Sequence, residues 1–547
     1  MKQSQRVEYL KQQACDIRTR IIEKAAQDGG HVSSPLGAVE LIQGVLEVFD
    51  VPQDGVFFDT GHFVDAYKLL TGRDEVYDSI DTFGGMCRFP KPSESRWDFF
   101  GTGHSGTALS AALGFALMHP SSWAIAIIGD GAFTGGQPFE AMNHAASMVS
   151  NLVILYNDNG YSSTETPGYL AQTQTVQMYA ESLGYYYLYI ENGNDIAQIL
   201  DGLTIVNRES MLWFVQVKTQ KGYGYEYSKN DPIAFHSTAP FDVQSGEMPQ
   251  PERYGWYQEF FFQQKRRHPD LMAVSPAAER DTGLYQIKAQ FPDSIIDTGI
   301  SEQHCVTLCT SLAMQGVPVW GVIPAPFLPR AFDQCIDASL HECSWVLSLP
   351  RGGISHLGPT HHGYYHQAFG HGLSGVEVIH AIDWHDYFST VSHFFKISGI
   401  QWIVPPLGHG LSVGTIRPFD QVVSVRRGGR IAIVTIGHTH MAPSRIFLHQ
   451  YDVSYIFVRS TTSGWIEELR DILDAWQVER VCIMEETLMG LTMGHEIIAT
   501  LGLGREFLLW TLECTPPQGP IDDVLRCISR TESDLVSAWC ERGWVYE

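Results

Sequence analysis

Positive charge is in short supply in this chain: 36 lysines and arginines face 61 aspartates and glutamates, a formal charge of −25 across 547 residues. Such a field repels polyanions. It argues against a nucleic-acid surface, and any phosphorylated or carboxylated ligand must be drawn in by local arginines and lysines. The ten cysteines include no CxxC pair and no zinc-finger spacing, so a reducing cytoplasm is the expected location. Long apolar runs are also missing. The longest, such as ALSAALGFALM, reach eleven residues, against the roughly 20 that a bilayer requires. The opening MKQSQRVEYLKQQ lacks the apolar centre of a signal peptide, and no membrane segment is expected. There is no short repeat and no low-complexity tract. What remains is an ordinary globular composition, 44% hydrophobic and 18% charged, in a chain too long for one core. Two to four domains are expected.

The most informative stretch is GDGAFTGG, residues 129–136, which closes the apolar run WAIAIIGD. Asp and Gly are ordinary turn residues, so alone the peptide says little. Its sequel says more. PFEAMNHAASM has apolar residues at helical spacing, and NLVILYNDNG is a second apolar run ending in polar residues. A strand, helix, strand unit in a parallel sheet brings Asp130 and Asn159 out together at the carboxyl edge, where open α/β sheets bind ligands. Twenty-seven residues, 132–158, separate GDG from Asn159. That combination resembles the signature of thiamine diphosphate enzymes. Mg²⁺ is a hard ion that takes oxygen ligands, a few of them from protein. Asp130, Asn159 and the backbone carbonyl of Tyr161 would supply the metal ligands, with the cofactor's diphosphate completing the set.

Composition and pattern divide the chain in three. Residues 1–245 hold the GDG unit, and a Pro-, Gly- and Ser-rich stretch, STAPFDVQSGEMPQPERYG, reads as a linker. In 246–410, SIIDTGI, VPVWGVIPA and CSWVLSLPRGG read as strands and CVTLCTSLAMQG as a helix. In 411–547, RIAIVTIG, DVSYIFVR and VERVCIMEE read as buried strands separated by helical patterns such as IEELRDILDAWQ. The fold class is therefore α/β.

The peptides GGHVSSPLGAVEL, DTGHFVDAYKLLTGR, RFPKPSES, FGTGHSGTALSAALG, GDGAFTGG, KGYGYEYSKNDPIAFHS and DTGISEQHCV follow one another in this order. Together they resemble the 1-deoxy-D-xylulose-5-phosphate synthases of the transketolase superfamily. The likeness covers most of the first two segments and weakens from about residue 385. It implies two thiamine diphosphate-binding parallel-sheet domains, the first holding diphosphate and Mg²⁺ and the second the pyrimidine, plus a C-terminal transketolase-like domain. It further implies a homodimer, and small-molecule substrates: a 2-oxo acid donor, pyruvate, and an aldehyde acceptor, glyceraldehyde 3-phosphate. Glu302 matches the glutamate that shares a proton with the aminopyrimidine ring, and Phe327 the aromatic that packs on it. His31, His104 and His361 match catalytic histidines, which can pass protons near neutrality; His362 is the less favoured neighbour. Gly129, Asp130, Gly131, Ala132, Asn159, His62, Gly103 and Lys221 fall on cofactor-binding positions. Arg330, Arg351 and His236 fall on the substrate side, where a guanidinium fork suits carboxylate or phosphate.

The likeness fails in places. The family's tens of residues after the NDN motif are absent, and such segments often act as lids. Pro324 stands where a tyrosine is expected, Leu357 where an aspartate is, and Leu407 where a second phosphate-binding arginine is. Losing one charged partner of a phosphate costs about 1.5–3 kcal/mol. Two alternatives follow: a paralogous carboligase with a less charged acceptor, and a thiamine diphosphate-binding subunit without turnover. The intact Glu302, Asp130 and Asn159 weigh against the second.

Overall fold

A computed structural model of the chain describes residues 3–171, 173–249, 253–280, 282–395, 399–406, 420–462, 464–502 and 504–545. Leu407 and the expected boundary at 410/411 lie outside the described residues. Among the described residues no helix is long and apolar enough to cross a membrane.

The described residues form three sheets. The first contains β1 (Gly55–Phe58), β2 (Ala124–Gly129), β3 (Leu152–Asp158), β4 (Tyr186–Ile190) and β5 (Trp213–Lys218), all parallel in the order β1-β2-β3-β5-β4. Its strands other than the partly exposed edge strand β4 are apolar on both faces because helices cover both. Along β2, Ile125 and Ile127 enter one core, and Ala124, Ala126 and Ile128 the other. The helix Gly136–Ala145 connects β2 to β3, and the register sets Gly129 opposite Asn157. Asp130 and Asn159 therefore leave the sheet side by side. Phe235 and Phe241 still pack in this first core, so the chain stays with the first sheet well beyond β5.

The second sheet contains β6 (Met272–Ser275), β7 (Ile295–Asp297), β8 (Val319–Val322), β9 (Ser344–Ser348), β10 (Val376–His380) and β11 (Gly399–Val404), in the order β10-β11-β9-β8-β6-β7 and parallel throughout. The helix Glu302–Met314 joins β7 to β8, yet these two strands are not neighbours. The four-residue β6, too short to stand out by pattern, lies between them. The third sheet contains β12 (Val422–Arg426), β13 (Ile431–Ile436), β14 (Ser454–Val458), β15 (Arg480–Leu488) and β16 (Glu506–Leu512), in the order β12-β14-β13-β15-β16. Only the edge strand β12 runs antiparallel. The helix Trp465–Ala475 buries Ile466, Leu469 and Leu473 against it, the stripe its period predicts.

Candidate active site

The carboxyl edges of the first two sheets face each other across one cavity, about 1340 Å³ including its open mouth. The candidate residues named from the sequence and lying within the described residues line it, from His31 on the first sheet's side to His361 on the second's, and only the less favoured His362 does not. Three places make this arrangement.

The first is the GDG corner. Asp130 is 1% exposed, and its Oδ1 accepts the Gly131 N–H at 2.7 Å while Oδ2 accepts those of Asn159 at 3.1 Å and Gly160. Burial pushes this carboxyl up to about 6, aided by Asp158 and opposed by the Gly160 and Gly131 N–H groups and Lys221. The Asn159 Oδ1 accepts the Tyr161 N–H at 3.0 Å. A Cβ on Gly131 would meet the Ser162 Cβ at 2.4 Å, so only glycine lets the two loops approach this closely. Lys221 is 3% exposed; its ammonium donates to the Ser162 carbonyl and, at 3.2 Å, to His236 Nδ1. Burial lowers its pKa to about 7.

The second place is the start of the helix Glu302–Met314. Glu302 is 4% exposed, and its Oε2 is buried without a hydrogen-bond partner. Burial raises its pKa, opposed by Arg330, whose Nε lies 3.5 Å away. The Arg330 fork donates to Ser105 Oγ at 3.1 Å and to the Ser105 carbonyl at 2.7 Å. Its polar contacts thus tie the second sheet's side to the first, while the residue still lines the cavity. Phe327 packs edge-on against both His104 and His361, ring centroids 5.3 and 5.7 Å away, and these two rings are 6.2 Å apart.

The third place is a group of histidines. His31 stacks on His62 at 4.0 Å, and His236 meets both edge-on at 5.5 and 5.3 Å. Burial first, then neighbouring charge, lowers all three, His62 to about 3 and the others well below their ordinary value. Their nitrogens lie within 4.8 Å of one another. However, lone pairs lie in the ring planes, and the stacked planes of His31 and His62 do not converge on a single ion. Neutral imidazoles in this arrangement can each donate a hydrogen bond from one ring nitrogen and accept one at the other. His104 and His361 are likewise lowered, chiefly by burial. His104 Nε2 meets the Thr360 carbonyl at 2.6 Å, and a Cβ on Gly103 would strike Thr360 Oγ1 at 2.5 Å. Leu357 and Pro324 sit on the second sheet's wall of the cavity.

Sequence reasoning missed several participants. Asp59, 1% exposed, accepts the N–H groups of Gly106 and Ala108 and so braces the His104 turn. Asp297 accepts the Thr164 hydroxyl at 2.6 Å and the Ala277 N–H at 3.0 Å, pinning the loop after Asn159 to the second sheet. Asp59 sits in DTGHF and Asp297 in DTGIS, at a strand end before a glycine. That is a usable signal for a backbone anchor, though not for its partner.

A family model described as 1-deoxy-D-xylulose-5-phosphate synthase matches residues 2–183, and one described as the transketolase pyrimidine-binding domain matches 256–397. The 1-deoxy-D-xylulose-5-phosphate synthase of Syntrophomonas wolfei is 31% identical over 487 residues, 78% of this chain and 76% of the relative. The chain belongs to the 1-deoxy-D-xylulose-5-phosphate synthase family. The synthase of Leptothrix cholodnii is 30% identical over 91% of this chain and 90% of its own length. Transketolase from Campylobacter jejuni aligns at 14% identity over 98% of this chain and 99% of that one, with a TM-score of 0.42, too loose a likeness to bear on function. As a 1-deoxy-D-xylulose-5-phosphate synthase-like chain this is a thiamine diphosphate-dependent transferase using a divalent metal such as Mg²⁺. The residues present fit both groups. The buried Glu302 Oε2 makes no hydrogen bond, with only the Arg330 Nε 3.5 Å away, which leaves it able to take a proton-sharing partner. The oxygen donors at the GDG corner, the Asp130 carboxylate and the Asn159 amide oxygen beside the Tyr161 backbone, form a hard-ion donor set.

Proposed function

We propose that this enzyme decarboxylates pyruvate and joins the two-carbon unit to glyceraldehyde 3-phosphate, and that the residues around the cavity take the roles expected from the sequence. The observation that carries this reading is the meeting of Asp130, Asn159 and Glu302 in one cavity between two parallel-sheet edges. Thiamine diphosphate, when bound, supplies the electron sink for loss of CO₂ from a 2-oxo acid. Asp130, Asn159 and the Tyr161 carbonyl hold the metal, with Gly129, Gly131, Ala132, Gly103, His62 and Lys221 lining the cofactor's place. Glu302 holds or shares a proton at Oε2 with the pyrimidine ring, and Phe327 packs against that ring. Arg330 keeps its expected place on the substrate side and in addition limits how far the Glu302 pKa rises, while its fork keeps Ser105 and the His104 turn in register. His31, His104 and His361, neutral at neutral pH, accept and donate protons at substrate oxygens, with His236 at the entrance. Arg351 offers the acceptor phosphate a fork. The divisions at 245/246 and 410/411, assembly as a homodimer, and a cytoplasmic location belong to the same proposal.

A second reading rests on Leu357 and Pro324, two apolar residues on the acceptor wall where polar groups are expected. They favour an acceptor with less charge. One assay separates the two: CO₂ release from pyruvate with Mg²⁺ and thiamine diphosphate, with either glyceraldehyde 3-phosphate or neutral aldehydes added. Stimulation by the phosphorylated aldehyde supports the first reading. Stimulation by neutral aldehydes alone overturns it in favour of the second.

A further inference from the structure

The turn that carries Arg351, Leu357 and His361 belongs to the second sheet, following β9, yet much of what holds it comes from the third. Its neck is closed by the Gly363 N–H donating to the Gly353 carbonyl at 2.7 Å. From there outward, the Ile354 N–H donates to Glu486 Oε1, and His362 bridges the Ser355 N–H, 3.0 Å from Nδ1, and the Pro516 carbonyl, 2.8 Å from Nε2. The Gly519 N–H donates to the His356 carbonyl at 3.0 Å. Arg351 has φ +65°, a conformation that L side chains rarely adopt. Such backbone persists only where its surroundings over-determine it.

Glu486 is the charged member of this set. It lies near the end of β15, where the pairing with β16 shifts register between Met484 and Leu488. A bulge of this kind re-aims a side chain that a regular ladder would send elsewhere. Its carboxyl is 5% exposed and also accepts from the His440 N–H at 2.5 Å and from His440 Nδ1 at 3.0 Å. Burial alone would raise its pKa, but His440 and the two backbone donors outweigh it and hold the group below its ordinary value. It therefore stays ionised, and its hydrogen bonds are the strong, charge-assisted kind. Gly353 is fitted to it: φ is +100°, and a Cβ there would lie 2.6 Å from Glu486 Oε1. The carboxyl edge of the third sheet, the usual ligand edge of an open α/β sheet, is thus occupied by the acceptor-side turn.

We propose that Glu486 is a positioning residue for the acceptor half of the reaction, fixing from the third sheet the turn that presents Arg351 and His361 to the cavity. This rests on the reading that the turn meets the acceptor. Small misplacements of positioning groups can cost up to about a hundredfold. Glu486→Gln keeps the size and removes the charge. With pyruvate as donor and glyceraldehyde 3-phosphate as acceptor, its acceptor KM should rise about tenfold, while the donor KM and thiamine diphosphate Kd move less than about twofold. A merely structural role would move all three together. Should Glu486→Gln fail to fold by circular dichroism, His440→Gln removes the ion partner but leaves the backbone donors, and should raise the acceptor KM about threefold with the same selectivity. An unchanged acceptor KM in a folded variant, or donor and acceptor KM rising in step, overturns the proposal. Arg351→Ala, measured in parallel, separates the two claims. If it leaves the acceptor KM unchanged, the reading of the turn itself fails; if it raises that KM while Glu486→Gln does not, only the role of Glu486 fails.

Discussion

At the scale of single residues, Glu302 and Asp130 are both buried carboxyls with raised pKa values, and they are asked to do different things. The Glu302 Oε2 makes no hydrogen bond and lies 3.5 Å from the Arg330 Nε, which suits a group that exchanges a proton. Glu302→Gln keeps the shape and removes the exchange. Its kcat should fall by about 10²–10⁴ while thiamine diphosphate affinity stays within a few-fold; steady-state kinetics and calorimetry check this. An undiminished kcat contradicts the role. Asp130 is raised on folding from its ordinary 3.8 to about 6, burial outweighing its backbone donors and Lys221. A carboxyl raised in this way binds its proton more tightly in the native than in the unfolded state. The metal-free protein therefore loses stability as pH climbs from about 4 to about 6 and carries the whole penalty above that, on the order of 3 kcal/mol. A bound divalent ion offsets it. Mg²⁺ affinity should rise with pH through about 6 and then level, a slope that Asp130→Asn abolishes. A flat profile in the parent protein contradicts the assignment.

At the scale of elements, what the sequence makes legible is whatever a crossover enforces. Asp130 and Asn159 could be placed together before any coordinates because a strand, helix, strand unit leaves two parallel strands ending at one edge, and the structure sets Gly129 opposite Asn157. The position of β6 could not be read, since four residues leave too little period. Nor could the second job of Arg330: its partners Ser105 and Glu302 lie in separate segments, and a lone serine carries no pattern. Asp297 and Thr164 meet across the cavity for the same unreadable reason. The loops themselves make a prediction. Gly131→Ala forces its Cβ against Ser162 Cβ, 2.4 Å away, where backbone must give. Overpacking of this kind costs about 1–3 kcal/mol. The strain falls on the metal corner, so Mg²⁺-dependent cofactor affinity should drop at least about tenfold while the melting temperature falls by only a few degrees. An unaltered affinity would mean the two loops are not held as described.

At the scale of the whole molecule, function depends on three sheets meeting edge to edge. In the proposed reading the first offers the metal corner and the second the pyrimidine side and the acceptor turn, and the third is bonded to that turn through Glu486, Pro516 and Gly519. The net charge of −25 leaves the work of attracting anions to a few buried cations such as Lys221. A ligand bridging the first two sheets stabilises the fold by mass action, about 2.7 kcal/mol at a hundredfold excess over Kd. The most direct test is calorimetric titration of the chain with thiamine diphosphate at saturating Mg²⁺, alongside Asp130→Asn and Glu302→Gln. The predicted result is one saturable site per chain, lost in Asp130→Asn and kept in Glu302→Gln. No heat of binding in the parent protein, or equal affinity in Asp130→Asn, would contradict the account.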